Sequence, residues 1–284
     1  MRDTQSATHT ARKRFGQHFL EPAWVAKLLA HIAPRPHDRF IEIGAGAGQL
    51  TTPLAETGAA VVGIEIDREL VKELKSSTPR SVRIVAGDIL KQDLFALIRE
   101  SFGPPATSVR IVGNLPYNLS SPILAQLFEV QLAHGCFADA TLMLQCEVAD
   151  RVVSRPGSRA YGPLAILTEV NATAERILSL PPGAFRPIPR VRSAVTRLAF
   201  RPTPVDIGDP KFFDRMVRCM FTQRRKTVLN ALAPCARPLA THDVRVLLEE
   251  AGLRSDRRPA TLHLSELAKL ARGLARATKR IRTE

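Results

Sequence analysis

Compact apolar runs at 39–43, 60–65, 82–86, 109–113 and 139–145, each bounded by turn residues, read as strands. Between them, apolar residues recur every third or fourth position, which predicts helices over Pro22–Ile32, Thr51–Thr57, Arg68–Ser76 and Ser121–His134. Another helix, Glu147–Val153, is expected after the fifth strand. Strands alternating with helices imply an α/β fold with a parallel, doubly wound sheet. Ile166–Ala174 and Ala194–Phe200 read as two closing strands, separated by a proline-rich loop at 181–189. After Phe200 the pattern changes. Arg201-Pro-Thr-Pro204 reads as a linker, and helical spacing follows at Lys211–Phe221, Lys226–Leu232, His242–Ala251 and Ser265–Arg276. The expected division is an α/β domain over 1–203 and a small helical domain over 204–284.

Composition narrows the class. With 284 residues, 45% of them hydrophobic, the chain can bury a proper core and is not a disordered protein. A net charge of +14 points to an anionic partner. The excess is uneven: residues 201–284 hold 18 Lys/Arg against 9 Asp/Glu, whereas 1–200 hold 23 against 18. The cysteines at 136, 146, 219 and 235 show no Cys-x-x-Cys spacing, and no His stands at zinc-ligand spacing. They read as reduced thiols of a cytoplasmic protein with no metal site. No apolar stretch approaches the ~18 residues of a membrane helix. Met1–Ala11 lacks the apolar core of a secretory signal, so a soluble protein without membrane attachment is expected.

Candidate chemistry gathers at the carboxyl ends of the strands. Arg39-Phe-Ile-Glu-Ile-Gly-Ala-Gly-Ala-Gly48 is an apolar run closing in glycines, followed by a helix start. Such a turn lets backbone approach a nucleotide-type ligand at a helix N-terminus. The dinucleotide fingerprint would place its third glycine at position 49, where Gln49 stands. Glu65, 21 positions after Gly44, could bind the hydroxyls of a ribose, a device shared by dinucleotide and adenosyl-cofactor enzymes. Asp88 closes the third run and could accept from an adenine amine; taken singly it is as readily a helix cap.

The fourth run ends in Asn114-Leu115-Pro116-Tyr117. This sequence suits methylation of the exocyclic amine of an extruded adenine. The Asn114 side-chain oxygen and the Leu115 carbonyl can each accept one amine hydrogen. Pro116 stiffens the turn without adding a donor, and Tyr117 offers a flat face for the base. Alone it reads equally as a strand-end turn. Two basic clusters, Arg12-Lys13-Arg14 and Arg224-Arg225-Lys226, are candidates for RNA phosphates or, for the second, a brace between domains.

Taken together, Lys13-Arg-Phe-Gly-Gln-His-Phe-Leu20, Glu42-Ile-Gly-Ala-Gly-Ala-Gly-Gln-Leu-Thr51, Glu65-Ile-Asp67, Gly87-Asp88, Asn114-Leu-Pro-Tyr-Asn118, Phe185-Arg-Pro-Ile-Pro-Arg-Val-Arg-Ser193 and Phe221-Thr-Gln-Arg-Arg-Lys-Thr227 resemble the small-subunit ribosomal RNA adenine dimethyltransferases. The resemblance runs to about residue 270. It implies a class I (Rossmann-like) methyltransferase sheet with a reversed strand near one edge. It also implies S-adenosylmethionine as cofactor and N6-dimethylation of two adjacent adenosines in a 3′-terminal hairpin of small-subunit rRNA, on a small ribosomal subunit precursor. The cofactor site it implies comprises Gln17, His18, Leu20, Gly44, Gly46, Glu65, Asp88 and Asn114. His18 stands where bacterial members often have Asn. Phe185 would sandwich the adenine opposite Tyr117. A monomer is expected. Two other readings stay open: a large-subunit rRNA methyltransferase of the macrolide-resistance type, and a non-catalytic assembly factor on the same fold. A NAD-dependent oxidoreductase is disfavoured by Gln49.

Overall fold

The computed structural model describes residues 18–79, 81–104, 108–237 and 239–283. The chain forms two compact units: one takes the residues up to Ala149 plus Ala174–Phe200, the other Asp150–Thr173 plus everything after Phe200. The helical unit therefore begins earlier than the linker at 201–204 marks, because a segment between two sheet strands packs into its core.

In the α/β unit the order is β1 (Phe19–Leu20), α1 (Pro22–Ile32), β2 (Arg39–Ile43), α2 (Thr51–Glu56), β3 (Ala60–Glu65), α3 (Arg68–Ser77), β4 (Val82–Ala86), α4 (Leu94–Phe102), β5 (Val109–Asn114), α5 (Ser120–His134) and β6 (Phe137–Gln145). Next in the chain come α6 (Cys146–Val152), α7 (Pro163–Asn171), which belongs to the helical unit, and then β7 (Ala172–Leu180), β8 (Phe185–Arg186) and β9 (Ser193–Phe200). The main sheet runs β4-β3-β2-β5-β6-β9-β7. Its first five strands are parallel, and β9 lies antiparallel to β6. β1 pairs antiparallel with β8 in a separate two-stranded ribbon, Leu20 opposite Phe185. Phe40, Ile41, Ile64, Ile111 and Leu142 are fully buried, as parallel strands covered on both faces require.

Two assignments differ from the sequence reading. Ile166–Ala174 is not a strand: Pro163–Asn171 is helix α7, with Pro163 in its first turn after Gly162, and the strand follows at β7. Its buried Ala165, Ile166 and Val170 enter the core of the helical unit, so tertiary packing overrode the β-branched composition. Helix α4 was not anticipated, although Asp93 caps it at 2.9 Å from the Ala96 N–H and Leu94, Leu97 and Ile98 bury one face.

Charges tie the amino edge of the sheet. Arg110 donates to Asp38 (2.7 Å), to both oxygens of Asp139 (3.0 Å each) and to the Ile32 carbonyl (2.6 Å). Arg110→Met would strand largely buried Asp139 with only Arg197 at 3.3 Å. It is expected to cost about 3 kcal/mol, read as a lower midpoint in urea.

The helical unit contains α8 (Pro210–Thr222), α9 (Val228–Leu232), α10 (Thr241–Glu250) and α11 (Leu264–Thr283). Its core includes Tyr161, Phe213, Met216, Val217, Leu248 and Leu267. The expectation of four reduced thiols fails for one pair. Cys219 in α8 and Cys235 after α9 form a disulfide, their Cα atoms 5.9 Å apart, while Cys136 and Cys146 are free. No helix among the described residues is long and apolar enough to cross a membrane.

Candidate active site

The carboxyl ends of β2, β3 and β5, with the turn after β4, border one cleft beside the β2/β5 boundary, where the strand order reverses. Its floor is the glycine turn after β2. Gly44 and Gly46 adopt φ of +76° and +57°, open to glycine at no steric cost. A Cβ at Gly46 would lie 3.3 Å from the Phe19 ring, so the turn leaves bare backbone facing the cleft.

Glu65, at the tip of β3, holds this turn in place. Its Oε2 accepts from the Gly46 N–H at 2.8 Å and its Oε1 from the Asp67 N–H at 2.9 Å. Each oxygen retains a second lone pair for a ligand hydroxyl. Asp88 is both cap and cleft residue: Oδ1 accepts from the Leu90 N–H at 3.0 Å, and Oδ2 has no hydrogen bond among the described residues. Gln49, in the position that would break a dinucleotide fingerprint, has a positive role. It donates to the Leu20 carbonyl at 2.7 Å and accepts from the Leu20 N–H at 3.0 Å, docking β1 onto the glycine turn.

Asn114 ends β5. Its Nδ2 donates to the His18 carbonyl at 2.6 Å. A carbonyl can only accept, so this bond fixes the amide's orientation and leaves Oδ1 without a partner among the described residues. The Pro116 carbonyl is taken by the Leu119 N–H (2.9 Å) and the Ser120 hydroxyl (3.1 Å). Among the described residues the Leu115 carbonyl has no such bond and is available as a second acceptor of the turn. Gly113 allows β5 to lie close to β2, since a Cβ there would meet the Ile43 carbonyl oxygen at 2.5 Å.

Tyr117 lines the same cleft, its hydroxyl 2.8 Å from Ser193 Oγ. Partial burial raises the pKa of its hydroxyl, the Ser193 bond opposes this and Cys146 adds to it, so the phenol stays neutral. The ring beside Tyr117 is His18, stacked at 5.6 Å between centroids. His18 Nδ1 lies 2.7 Å from the Pro187 carbonyl, so that nitrogen carries a proton and Nε2 faces away from that bond. Phe185 does not take the expected place. It is fully buried among Leu20, Val25, Leu28 and Val195, because the β1–β8 pairing turns it into the core rather than the cleft.

Glu42, unremarked as a site residue in the sequence, is 2% exposed at the cleft wall and accepts from the Thr51 hydroxyl at 2.5 Å. Burial pushes its carboxyl up to about 8; the Thr51 bond opposes this and the Glu65 charge reinforces it. An acidic residue two positions before a glycine turn was the available signal. Leu20 also lines the cleft. Gln17, Arg12, Lys13 and Arg14 lie outside the described residues.

In the helical unit, Arg224 donates to the Ser158 carbonyl at 3.1 Å, bracing the loop before α7, whereas Arg225 and Lys226 are exposed without ion pairs among the described residues. Tyr161 is buried in the helical core, its hydroxyl donating to the Leu262 carbonyl at 3.0 Å. Among the described residues no group of His, Cys, Asp and Glu could hold a metal ion.

The profile of one family, Ribosomal RNA adenine dimethylase, matches residues 8–268. The chain belongs to that family. Among the dimethylase's relatives, Ribosomal RNA small subunit methyltransferase A of Xylella fastidiosa (strain 9a5c) is 39% identical over 273 residues, covering 95% of this chain and 98% of the relative. The same-named protein of Geobacter sulfurreducens is 38% identical over 94% of this chain and 96% of its own. The fold matches the crystal structure of a dimethyladenosine transferase from Plasmodium falciparum, with a TM-score of 0.72, 23% identity, and coverage of 89% of this chain and 96% of that one. It also matches the 23S rRNA methyltransferase ErmE, with a TM-score of 0.62, 24% identity, and coverage of 90% and 99%. The dimethylase is thus a class I S-adenosylmethionine-dependent methyltransferase acting on adenine in rRNA. The cleft suits that cofactor: the Glu65 and Asp88 carboxyls favour a ligand bearing hydroxyls, an amine and a positive charge, and the glycine turn leaves room for its backbone contacts.

Proposed function

We propose that this dimethylase modifies two adjacent adenosines in a 3′-terminal hairpin of small-subunit rRNA, acting in the cytoplasm as a monomer on a subunit precursor. The observation that carries the acceptor chemistry is the orientation of Asn114, whose Nδ2 bond to the His18 carbonyl leaves Oδ1 free beside the Leu115 carbonyl. Small-subunit RNA is favoured by relatives near 39% identity that bear a small-subunit name.

Glu65 would hold the ribose hydroxyls of the cofactor, Asp88 its adenine amine, and Gly44 and Gly46 its backbone-facing side, with His18, Leu20 and Asn114 closing the cleft; Gln17 belongs to the same proposed set. Bound there, S-adenosylmethionine supplies a methyl group already activated by the positive charge on sulfur. The remaining work falls to the acceptor turn. Asn114 Oδ1 and the Leu115 carbonyl take the two N6 hydrogens and turn the nitrogen lone pair outward. Tyr117 stacks on the base, worth about 1–3 kcal/mol against the unstacking cost. Positioning and fixed dipoles lower the barrier. The alkylated nitrogen is acidic enough to lose its proton to solvent without a dedicated base. After one methylation only one N6 hydrogen remains, so one acceptor suffices for the second round.

Arg225 and Lys226, with Arg12, Lys13 and Arg14, would bind RNA phosphates; Arg224 would hold the loop beside them. The deciding assay is transfer of labelled methyl to purified unmethylated small and large subunits. Label confined to the large subunit would overturn the assignment. Glu65→Ala is expected to weaken cofactor binding about 10–100-fold, from lost hydroxyl bonds and a loosened glycine turn. Calorimetry checks this, and unchanged affinity would remove Glu65 from the site.

A further inference from the structure

Between Glu175 and Asp206 the chain has no acidic residue and six arginines. Three of them fall in Arg186-Pro-Ile-Pro-Arg-Val-Arg192, a stretch pinned to the rim of the acceptor cleft. At its start the Pro187 carbonyl bonds His18 Nδ1 at 2.7 Å. At its end the Arg192 carbonyl accepts from the Cys146 N–H at 3.0 Å, and Ser193, the next residue, meets the Tyr117 hydroxyl at 2.8 Å. Pro189 is buried, and two prolines limit backbone freedom. What the stretch shows to solvent is unusual for a strut. Ile188 is 59% exposed and Val191 41%. Arg186 is engaged with Glu21 at 3.0 Å, but exposed Arg190 and Arg192 form no ion pair among the described residues.

We propose that residues 188–192 are the surface on which the RNA strand flanking the target adenosine lies, with Arg190 and Arg192 on its phosphates and Ile188 and Val191 against its sugars and bases. The proposal rests on the acceptor role of Asn114 and Tyr117. Aliphatic side chains beside arginines suit a strand that has left its helix: base faces are apolar and backbone anionic, and an extruded base exposes both. Arg192 stands one residue, about 3.8 Å of backbone, from the serine that holds Tyr117. A protein partner is disfavoured by this placement, since it would cover the entrance to the cleft.

The test uses the full-length enzyme and unmethylated small ribosomal subunits. For Arg190→Ala/Arg192→Ala, the KM for subunits should rise about 10-fold, and the slope of log affinity against log salt should fall in magnitude by about 1.5, as for two lost phosphate contacts. Ile188→Ser should lower kcat/KM about 5-fold with the salt slope unchanged. Cofactor affinity and melting temperature should match wild type in both. Wild-type RNA affinity and salt slope in these variants overturn the proposal while the acceptor site stands. Parallel loss of cofactor affinity or thermal stability makes the stretch a strut and overturns it too. If wild type itself fails to methylate subunits, the underlying functional reading is what has failed.

Discussion

Asn114→Ala should cut methyl transfer to rRNA about 100- to 1,000-fold, the range seen when one preorganised polar contact to a reacting group is lost. The expectation comes from the amide's two ends. Oδ1 is the free acceptor at the tip of β5, and Nδ2 is committed to the His18 carbonyl at 2.6 Å. Truncation removes both, so a moderate loss of cofactor affinity should accompany the larger loss of turnover. Asn114→Asp separates them: it keeps an acceptor, places a negative charge against the His18 carbonyl and should also be severely impaired. Single-turnover transfer of labelled methyl with saturating cofactor measures the chemical step. A rate within about 3-fold of wild type, little more than the thermal energy in kcal/mol, would show that another group holds the amine.

Glu42→Gln should stabilise the protein, increasingly so as pH rises. The folded carboxyl titrates near 8 against an ordinary 4.5, so the folded chain keeps a proton that the unfolded chain releases. Below the unfolded value both states are protonated and no stability is lost. As pH climbs from there toward 8, the wild type loses stability at up to about 1.4 kcal/mol per pH unit, on the order of 5 kcal/mol in all. Beyond that the difference levels off. Glutamine cannot titrate, so the two urea midpoints should converge in mild acid and separate progressively between pH 5 and 8. Parallel curves would mean that Glu42 is ionised in the folded protein. An acid kept at such a cost, against the charge of Glu65 in a cleft for a cationic cofactor, is typical of a binding site rather than of a core.

Much of this architecture can be read directly. β2, β3 and β4 begin and end where their apolar runs predict, although Glu42 and Glu65 are buried within β2 and β3 and only Ile84 of the edge strand β4 is buried. The turns at their carboxyl ends then carry the ligand-type side chains, and Glu65, Asp88 and Asn114 fall on one cleft. The reading failed where long-range packing decides. Residues 163–180 contain both a helix and a strand of similar β-branched composition, and only the core of the helical unit selects the first part as helix. Phe185 has the motif of a presented ring, yet its pairing with Leu20 buries it. Cys219 and Cys235 show no diagnostic spacing, and only the packing of α8 beside the segment after α9 brings them together. Gln49 looked like a missing glycine because a fingerprint records backbone need, not a side chain that substitutes for a neighbouring strand.

That glutamine has a wider effect. From Gln49 the bonds run to the Leu20 backbone, then two residues back to the His18 carbonyl and on to Asn114. On the proposed function, nucleotide donor and nucleic acid acceptor would press on opposite ends of one short relay. Any tightening that the first exerts on the second must be returned by the same factor, since linkage between two equilibria has no preferred direction.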